Sequence, residues 1–318
     1  MLFIFALQLL LSLLFIGWLC FVPPRSSVAC CTRAVTTSVA LLAVGLIGLW
    51  SFPPWWATWS SGGLLTVATW IGWRRHHPFA SRLPTGRLVR GFMTLFIAIG
   101  GWGVYPSALA LSGRTGQAGT VVELAFALKG GTYLVVNGGS HSNVHAHLMT
   151  LDATVARFLS YRGPSSSVDI VKLDSWGLRA KGLLASNPGQ HNIYGLPVHA
   201  PCAGQVSAAL DGLPDMQVPQ TDRLHMAGNH VLLRFNGADV LLGHFKPGGL
   251  TVRTGDAFAV GQAVDFVGNS GNSGNTSQPH LQIHAQQRGT AAEPFSGNPL
   301  LMRFNGRFLV RNDRLTSP

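Results

Sequence analysis

One stretch of the chain combines residue types and spacing that suggest chemistry, at residues 268–284, GNSGNSGNTSQPHLQIH. Glycine, asparagine and serine fill its first part, which is the composition of a turn or loop. His280, Gln282 and His284 then alternate with apolar residues, so they would share one face of a strand. Two imidazoles on either side of an amide could hold a metal ion or serve a hydrolytic site. The alternative interpretation is an ordinary sheet edge with surface histidines.

Two further polar residues interrupt apolar runs. Asp169 lies in SSSVDIV, residues 165–171, and a carboxylate there requires a metal, a cation or several hydrogen-bond donors. His244 lies in LLGHF, residues 241–245. In the absence of such a role, Asp169 would be a hydrogen-bonded residue at a strand end and His244 a hydrogen-bonded core histidine.

Histidine is concentrated in the second part of the chain. Ten of the 12 histidines follow residue 112, at positions 141, 145, 147, 191, 199, 225, 230, 244, 280 and 284. No CxxC or HExxH pattern occurs, so the ligands of a zinc site would have to come from separate strands. Cys202 is the single cysteine in this part, and we expect it to be a small buried residue rather than a nucleophile.

The charge of the chain is unevenly divided. Residues 1–112 contain seven arginines and no Asp or Glu, while the rest contains 16 basic and 12 acidic residues, a net charge of +4. A basic protein can bind nucleic acid. Here the arginines lie between apolar runs and no nucleic-acid-binding motif accompanies them, so we expect no nucleic acid partner.

Residues 1–112 are predicted to be a membrane region of about four transmembrane helices. The apolar runs 2–22, 34–52, 55–73 and 91–111 are long enough to span a bilayer. Arginines follow the first and third runs, which by the positive-inside rule places those two loops in the cytoplasm and everything after residue 111 outside. A cleaved signal peptide is the alternative for the first run, but no positive residue precedes it. We expect an integral membrane tether, with the C-terminal domain facing the periplasm or cell exterior.

The remainder is predicted to be an all-β domain, a sandwich or open barrel, over residues 121–318. Residues 113–120, SGRTGQAG, have the composition of a linker. Short strands separated by Gly and Pro turns follow, and Asn236-Gly237 predicts a hairpin between two of them. Residues around 157–159 are the expected helical exception.

The order of the motifs resembles a known family. An apolar strand with Asp169 is followed by GLPVHAPCAGQV (195–206), GNHVLL (228–233), Gly243-His244, VRTGDAFAVGQAV (252–264) and GNSGN…PHLQIH. This order resembles the lysostaphin/LytM-type zinc metallopeptidases, the glycyl-glycine endopeptidase family with the duplicated hybrid motif fold. The resemblance covers roughly residues 121–301. Members of that family cut peptide bridges of bacterial peptidoglycan.

The resemblance implies roles for particular residues. Asp169 would be a zinc ligand, and His244 and His280 would flank the reacting carbonyl as general base and oxyanion stabiliser. Two positions depart from the family: Ser165 stands where it has the first ligand histidine, and Gln282 where it has the second histidine of H-x-H.

Three residues could compensate for these departures. His147, from a neighbouring strand, could replace the first ligand. His284, about 7 Å further along the strand than Gln282 at roughly 3.3 Å per residue, could replace the second. The carbonyl oxygen of Gln282 itself is the remaining possibility.

Two hypotheses follow. The first is a membrane-anchored zinc metalloendopeptidase that cleaves peptide bonds in bacterial cell-wall peptidoglycan. The second is a catalytically degenerate domain of the same fold that binds peptidoglycan or regulates a partner hydrolase. Whether the site holds zinc separates them.

Overall fold

The chain divides into two compact units, Met1–Leu111 and Ser112–Pro318. The structure is a computed structural model, and it describes residues 2–22, 24, 26–77, 79, 83, 86–116, 118–182, 184–271, 278–290 and 292–318. Residues 272–277, part of the predicted Gly/Asn/Ser-rich loop, lie outside the described residues.

The first unit contains helices α1 (Leu2–Phe21), α2 (Ser27–Ile47), α3 (Ala57–His76) and α4 (Arg87–Ser112) in its described part. They overlap the four predicted apolar runs, but α2 begins and ends earlier than the run 34–52. It begins at residue 27 because the Ser26 hydroxyl accepts the Ala29 N–H at 3.2 Å, capping the first turn. Two described segments, Ser27–Ile47 and Arg90–Ser112, are long and apolar enough to cross a membrane by length and composition.

The second unit is built from strands, as predicted. The strands are β1 (Val121–Leu124), β2 (Gly131–Asn137), β3 (Val168–Leu173), β4 (Pro197–His199), β5 (Gly204–Leu210), β6 (Asn229–Phe235), β7 (Ala238–Phe245), β8 (Ala257–Phe258), β9 (Ala263–Phe266), β10 (Leu281–Gln287), β11 (Pro299–Phe304) and β12 (Arg314–Ser317). A short helix, α5 (Ala156–Leu159), lies where the helical exception was predicted.

Strand pairing places β10 at the centre of the main sheet. The described strands form a ten-stranded sheet with the order β12-β2-β3-β10-β7-β6-β5-β8, to which β11 and β1 are added beside β10, and a two-stranded sheet of β4 and β9. β10 runs antiparallel to both β3 and β7. Gln282 is therefore opposite Asp169 on one side and Gly243 on the other.

A tight turn fixes the register of β7. Asn236 and Gly237 have φ angles of 48° and 81°, as a two-residue hairpin loop requires. The predicted hairpin is thus confirmed, and it aligns Leu232 with Leu241 and His230 with Gly243. His244, the next residue, is thereby delivered to the end of the sheet where β10 begins.

The two faces of β10 have different surroundings. Leu281, Ile283 and Ala285 are fully buried in the main hydrophobic core, where each larger side chain contributes about 2 kcal/mol by its removal from water. Gln282 and His284 alternate with them and are buried on the polar face. Cys202 is buried in the core, as expected.

Candidate functional site

Asp169 is the centre of the polar cluster. It lies on β3, is 3% exposed, and its Oδ2 atom is 2.9 Å from Nε2 of His147. The Asn137 amide donates to the same oxygen at 3.3 Å. Nε2 of His280 is 3.8 Å from Oδ1, the other carboxylate oxygen, which is buried and has no hydrogen-bond partner. The structure therefore brings two of the sequence-predicted histidines to the predicted carboxylate.

His147 is positioned by residues that the sequence did not single out. It lies not in a neighbouring strand, as predicted, but in a 3-10 helix, Ala146–Leu151, whose first N–H donates to Oδ1 of Asn137 at 2.8 Å. The neighbouring His145 ring donates from Nδ1 to the Gly139 carbonyl at 2.6 Å. Arg311, near the C-terminus, donates to the Val136 carbonyl at 3.2 Å. Polar residues in loops carry no periodic signal, and only the fold shows that these surround Asp169.

His244 and His280 lie against one another. Their ring centroids are 4.7 Å apart with an interplanar angle of 52°. His244 donates from Nδ1 to the Ser270 carbonyl at 2.8 Å, and His280 donates from Nδ1 to the Gln278 carbonyl at 2.8 Å. Each ring is therefore fixed through Nδ1, which leaves Nε2 facing the cluster. The backbone of His244 has φ of 65°, a left-handed conformation that costs energy for a residue with a side chain.

Gln282 has its amide engaged inside the protein. Its Nε2 donates to the Ser167 hydroxyl at 2.8 Å. Ser165, at the other departing position, is buried with a hydroxyl that has no partner. The two residues that replace family histidines are thus both buried, but neither presents a strong metal donor.

His284 is held by its own strand rather than by Asp169. Its Nε2 donates to Oε1 of Gln286 at 3.0 Å, and the Gln286 amide in turn donates to the Pro294 carbonyl at 2.6 Å. Its Nδ1 is buried without a partner. His280 and His284 are 1% and 0% exposed, so the alternative of surface histidines on a sheet edge is wrong.

The predicted zinc set does not assemble. The unpartnered Oδ1 of Asp169 is the kind of atom that a cation would satisfy. However, no group of three or more His, Cys, Asp or Glu side chains in the described part of the chain is arranged to hold a metal ion. The Gln282 amide is hydrogen-bonded to Ser167, and the His284 ring is hydrogen-bonded to Gln286. Among the described residues, Asp169, His147, Gln282 and His284 are therefore not gathered into one ligand set, and zinc binding by them stays a prediction.

Electrostatics separates the histidines into two groups. Burial disfavours a charged His147, but the charge of Asp169 and their hydrogen bond outweigh burial and raise the pKa of His147. Burial, reinforced by the nearby His280, lowers the pKa of His244 to about 3. Burial likewise lowers the pKa of His284 to about 3. Burial disfavours a charged Asp169, yet His147 and His280 outweigh it and hold its pKa far below the usual range.

The cluster therefore combines one ionised carboxylate with histidines whose pKa values are shifted in opposite directions. The pKa of Asp169 is held far below its usual range, so it is ionised, and the pKa of His147 is raised by that charge, while His244 and His284 are neutral at pH 7. The Oδ1 atom of Asp169 can accept an N–H from a ligand, and a neutral imidazole can donate or accept one hydrogen bond. This arrangement is suited to binding a peptide group.

Comparison with known proteins gives structural similarity only. No protein-family description and no curated protein matches the chain. Similar solved structures include the M23 metalloprotease pseudoalterin from the deep sea, with 15% identity over 61% of this chain and 98% of that one, and a TM-score of 0.34. The catalytic domain of lysostaphin from Staphylococcus simulans is 19% identical over 36% of this chain and 86% of that one, with a TM-score of 0.23.

A protein of another kind is also similar. The SpoIIQ–SpoIIIAH pore-forming complex is 15% identical over 42% of this chain and 63% of that one, with a TM-score of 0.25. The chain spans 37 to 66% of the length of the first four similar structures. Lysostaphin and M23 metallopeptidases, to which the motifs pointed, are thus among the similar structures. At these TM-scores, the function has to be inferred from the site residues.

Proposed function

We propose that the second unit is a peptidase-fold domain that binds peptides of bacterial peptidoglycan without cleaving them through a zinc ion. The observation that carries this proposal is the hydrogen bonding of the Gln282 side chain. This residue stands where the resembled family has a ligand histidine, and its amide nitrogen donates to the Ser167 hydroxyl at 2.8 Å. A neutral amide fixed in this way is a poor substitute for an imidazole ligand.

The same residues supply hydrogen-bonding groups for a peptide. Oδ1 of Asp169 is buried without a partner and is held ionised by His147. An N–H group of a bound peptide would satisfy it, and a charge-assisted bond of this kind is about twice as strong as a neutral one. His280, fixed through Nδ1, lies beside the same oxygen and can orient the bound peptide group.

The second candidate function is the zinc metalloendopeptidase of the resembled family. It is favoured by the convergence of His147 and His280 on Asp169, with His244 against His280. In that case His244 and His280 would be the catalytic residues, and the domain would need a rearrangement of Gln282 or His284 to complete a metal site.

Location is part of the proposal. The helices of the first unit would anchor the chain in the cell membrane as a multi-pass protein, with the second unit in the periplasm or outside the cell. The support is the arginine distribution and the two segments that are long and apolar enough to cross a membrane. The partner that a domain of this kind would regulate is a cell-wall hydrolase.

The test uses the full chain in lipid nanodiscs, dialysed against micromolar zinc. We expect elemental analysis to find no stoichiometric zinc, the protein to sediment with purified peptidoglycan sacculi, and no soluble peptide fragments to be released. The variant Asp169→Asn should reduce sedimentation, because the charged acceptor is lost. One zinc per chain together with zinc-dependent release of fragments would establish the second candidate instead.

A further inference from the structure

The chain that leaves helix α4 is bonded to the second unit along its first few residues. α4 ends at Ser112, the first residue of that unit, and we call residues 112–116 the docked linker. Ser140 holds it at two points. The Ser140 N–H donates to the Gly113 carbonyl at 2.9 Å, and the Ser140 hydroxyl donates to the Thr115 carbonyl at 2.7 Å.

A second attachment of the docked linker runs through Arg114. Its guanidinium donates to Asp313 at 2.5 Å and to the Arg311 carbonyl at 3.4 Å. The Arg311 side chain in turn donates to the Asn143 carbonyl at 3.2 Å and to Oδ1 of Asn137 at 3.4 Å. The segment near the C-terminus therefore connects the docked linker to residues 137 and 143.

Both attachments end on the loop that leads to His147. We call residues 137–147 the site loop. Asn137, at its start, donates to Oδ2 of Asp169 at 3.3 Å and accepts the Ala146 N–H at 2.8 Å. His147, at its end, is 2.9 Å from the same carboxylate oxygen. The docked linker and the Asp169 cluster are therefore joined by one short loop.

The docked linker and the site loop are packed without free space. A Cβ atom added to the buried Gly113 would be 2.7 Å from Cβ of His141 and 2.9 Å from a methyl group of Val144. A Cβ atom added to Gly139, where φ is 110°, would be 2.8 Å from the Gly113 carbonyl oxygen. Close-packed groups transmit a displacement instead of absorbing it.

We infer that the docked linker is a regulatory element, which couples a displacement of α4 to the position of His147 beside Asp169. α4 contains one of the segments long and apolar enough to cross a membrane, and such helices tilt when the bilayer thickness changes. The two states are the site loop bonded to the linker and the site loop released from it. The inference rests on the proposed function and location, because the binding that it regulates is that of a peptide at Asp169.

The test measures amide hydrogen exchange by mass spectrometry, without a ligand. The full chain is placed in nanodiscs of short-chain or of long-chain phosphatidylcholine. We expect exchange of the site loop to differ about two- to tenfold between the two lipids, as for the loss of one hydrogen bond, while the hairpin of β6 and β7 exchanges alike in both. Equal exchange of the site loop in both lipids would overturn the inference.

Two insertions distinguish coupling from a purely structural attachment. A flexible Gly/Ser insertion of about six residues between Leu111 and Ser112 disconnects α4 from the docked linker, so the dependence on lipid should disappear. The same insertion between the exposed residues Ala118 and Gly119 leaves α4 connected to the docked linker, so the dependence should persist. If the two insertions have the same effect, α4 does not act through the docked linker.

Two alanine variants test the packing of the docked linker. Gly113→Ala places a methyl group against His141 and Val144, so the site loop should exchange at least about fivefold faster. Gly116→Ala is the matched control, because its Cβ atom would be 3.6 Å from the Phe308 ring, an ordinary contact, and exchange should be native. Equal exchange in the two variants would show that the docked linker does not hold the site loop.

Sedimentation with peptidoglycan sacculi tests the proposed function separately on the same proteins. If exchange of the site loop follows the lipid while the native chain does not bind sacculi, the coupling is supported and the proposed ligand is wrong. If the native chain binds sacculi while exchange does not follow the lipid, the proposed function is supported and the coupling is wrong.

Discussion

Asp169 and Asp265 are two buried carboxylates with opposite behaviour. They are 3% and 2% exposed, and each has one oxygen without a hydrogen-bond partner. His147 and His280 surround Asp169 and keep its pKa far below the usual range despite its burial. Asp265 accepts the Phe266 N–H at 2.6 Å, and burial raises its pKa to about 7.

The difference shows that burial alone does not create a binding site for a cation or an N–H group. Burial drives a carboxyl toward its neutral form unless cationic neighbours oppose it. The Phe266 N–H and Lys246 act to lower the pKa of Asp265, but burial, reinforced by the nearby Asp211, outweighs them. Asp169 remains a charged acceptor because His147 shares its environment. The cationic neighbours of Asp169, and not the extent of its burial, distinguish the candidate site from the structural carboxyl Asp265.

The largest effect is expected from completing the Asp169 site. Gln282 pairs in register with Asp169, so Gln282→His adds an imidazole opposite the carboxylate and beside His147. We expect zinc affinity to increase at least about 100-fold, since even residues that only support metal ligands contribute 10- to 100-fold. Equilibrium dialysis and elemental analysis measure it.

The control for this substitution is Gln287→His, an exposed position on the same strand. It should leave zinc content unchanged. Stoichiometric zinc in the native chain, or none in Gln282→His, would show that Gln282 is not what separates the Asp169 cluster from a metal centre.

Removal of the Asp169 charge is expected to have the next largest effect. Asp169→Ala removes a buried carboxylate and leaves the half-buried His147 without its partner, which should destabilise the domain by about 3–5 kcal/mol. The matched exposed pair is His225 and Asp222, 2.6 Å apart, where Asp222→Ala should cost about 1 kcal/mol or less. Pulse proteolysis in urea measures both, and equal losses would contradict the special position of Asp169.

The other carboxyl gives a pH-dependent prediction. The pKa of Asp265 is about 7 in the folded protein and 3.8 in a free side chain, so the folded state binds its proton more tightly. The resulting stability is complete below pH 3.8 and is lost as pH rises to about 7. Asp265→Asn should remove this dependence and be more stable than the native chain at pH 8, on the order of 1–3 kcal/mol.

The urea midpoint across this pH range is the measurement. Glu293→Gln, which removes one exposed charge, is the control for net charge. If the native chain and Asp265→Asn lose stability in parallel as the pH rises, Asp265 is ionised in the folded state and the contrast with Asp169 fails.

These two carboxyls also show how far sequence analysis reaches. Asp169 in SVDIVKL and Asp265 in QAVDFVGN have the same local pattern, an acid within an apolar strand. The alternation of polar and apolar residues predicted the strands and the polar face of β10, because a strand has a period of two. His147 lies close to Asp169 because of the pairing register of β2 with β3 and because of a 3-10 helix. The local alternation of polar and apolar residues predicts neither of them.

Spacing alone does not identify the metal ligands, for a similar reason. The spacing of His280, Gln282 and His284 indicates a shared face, but not which neighbour each side chain meets. Gln286, two residues further on, takes the hydrogen bond of His284, and Ser167 takes that of Gln282. Neighbouring polar side chains compete for the same hydrogen bonds, and which pairs form is known only once the strands are paired.

The left-handed backbone of His244 has a consequence for substitutions. In an ordinary strand, glycine is less stabilising than alanine. At φ of 65° a side chain costs roughly 1–2 kcal/mol, so His244→Gly should be about 1 kcal/mol more stable than His244→Ala, an inverted order that urea midpoints can check. The native chain thus accepts the energetic cost of a left-handed backbone at position 244, a cost that glycine would avoid. Position 244 is a trade-off between thermostability and the placement of one imidazole ring.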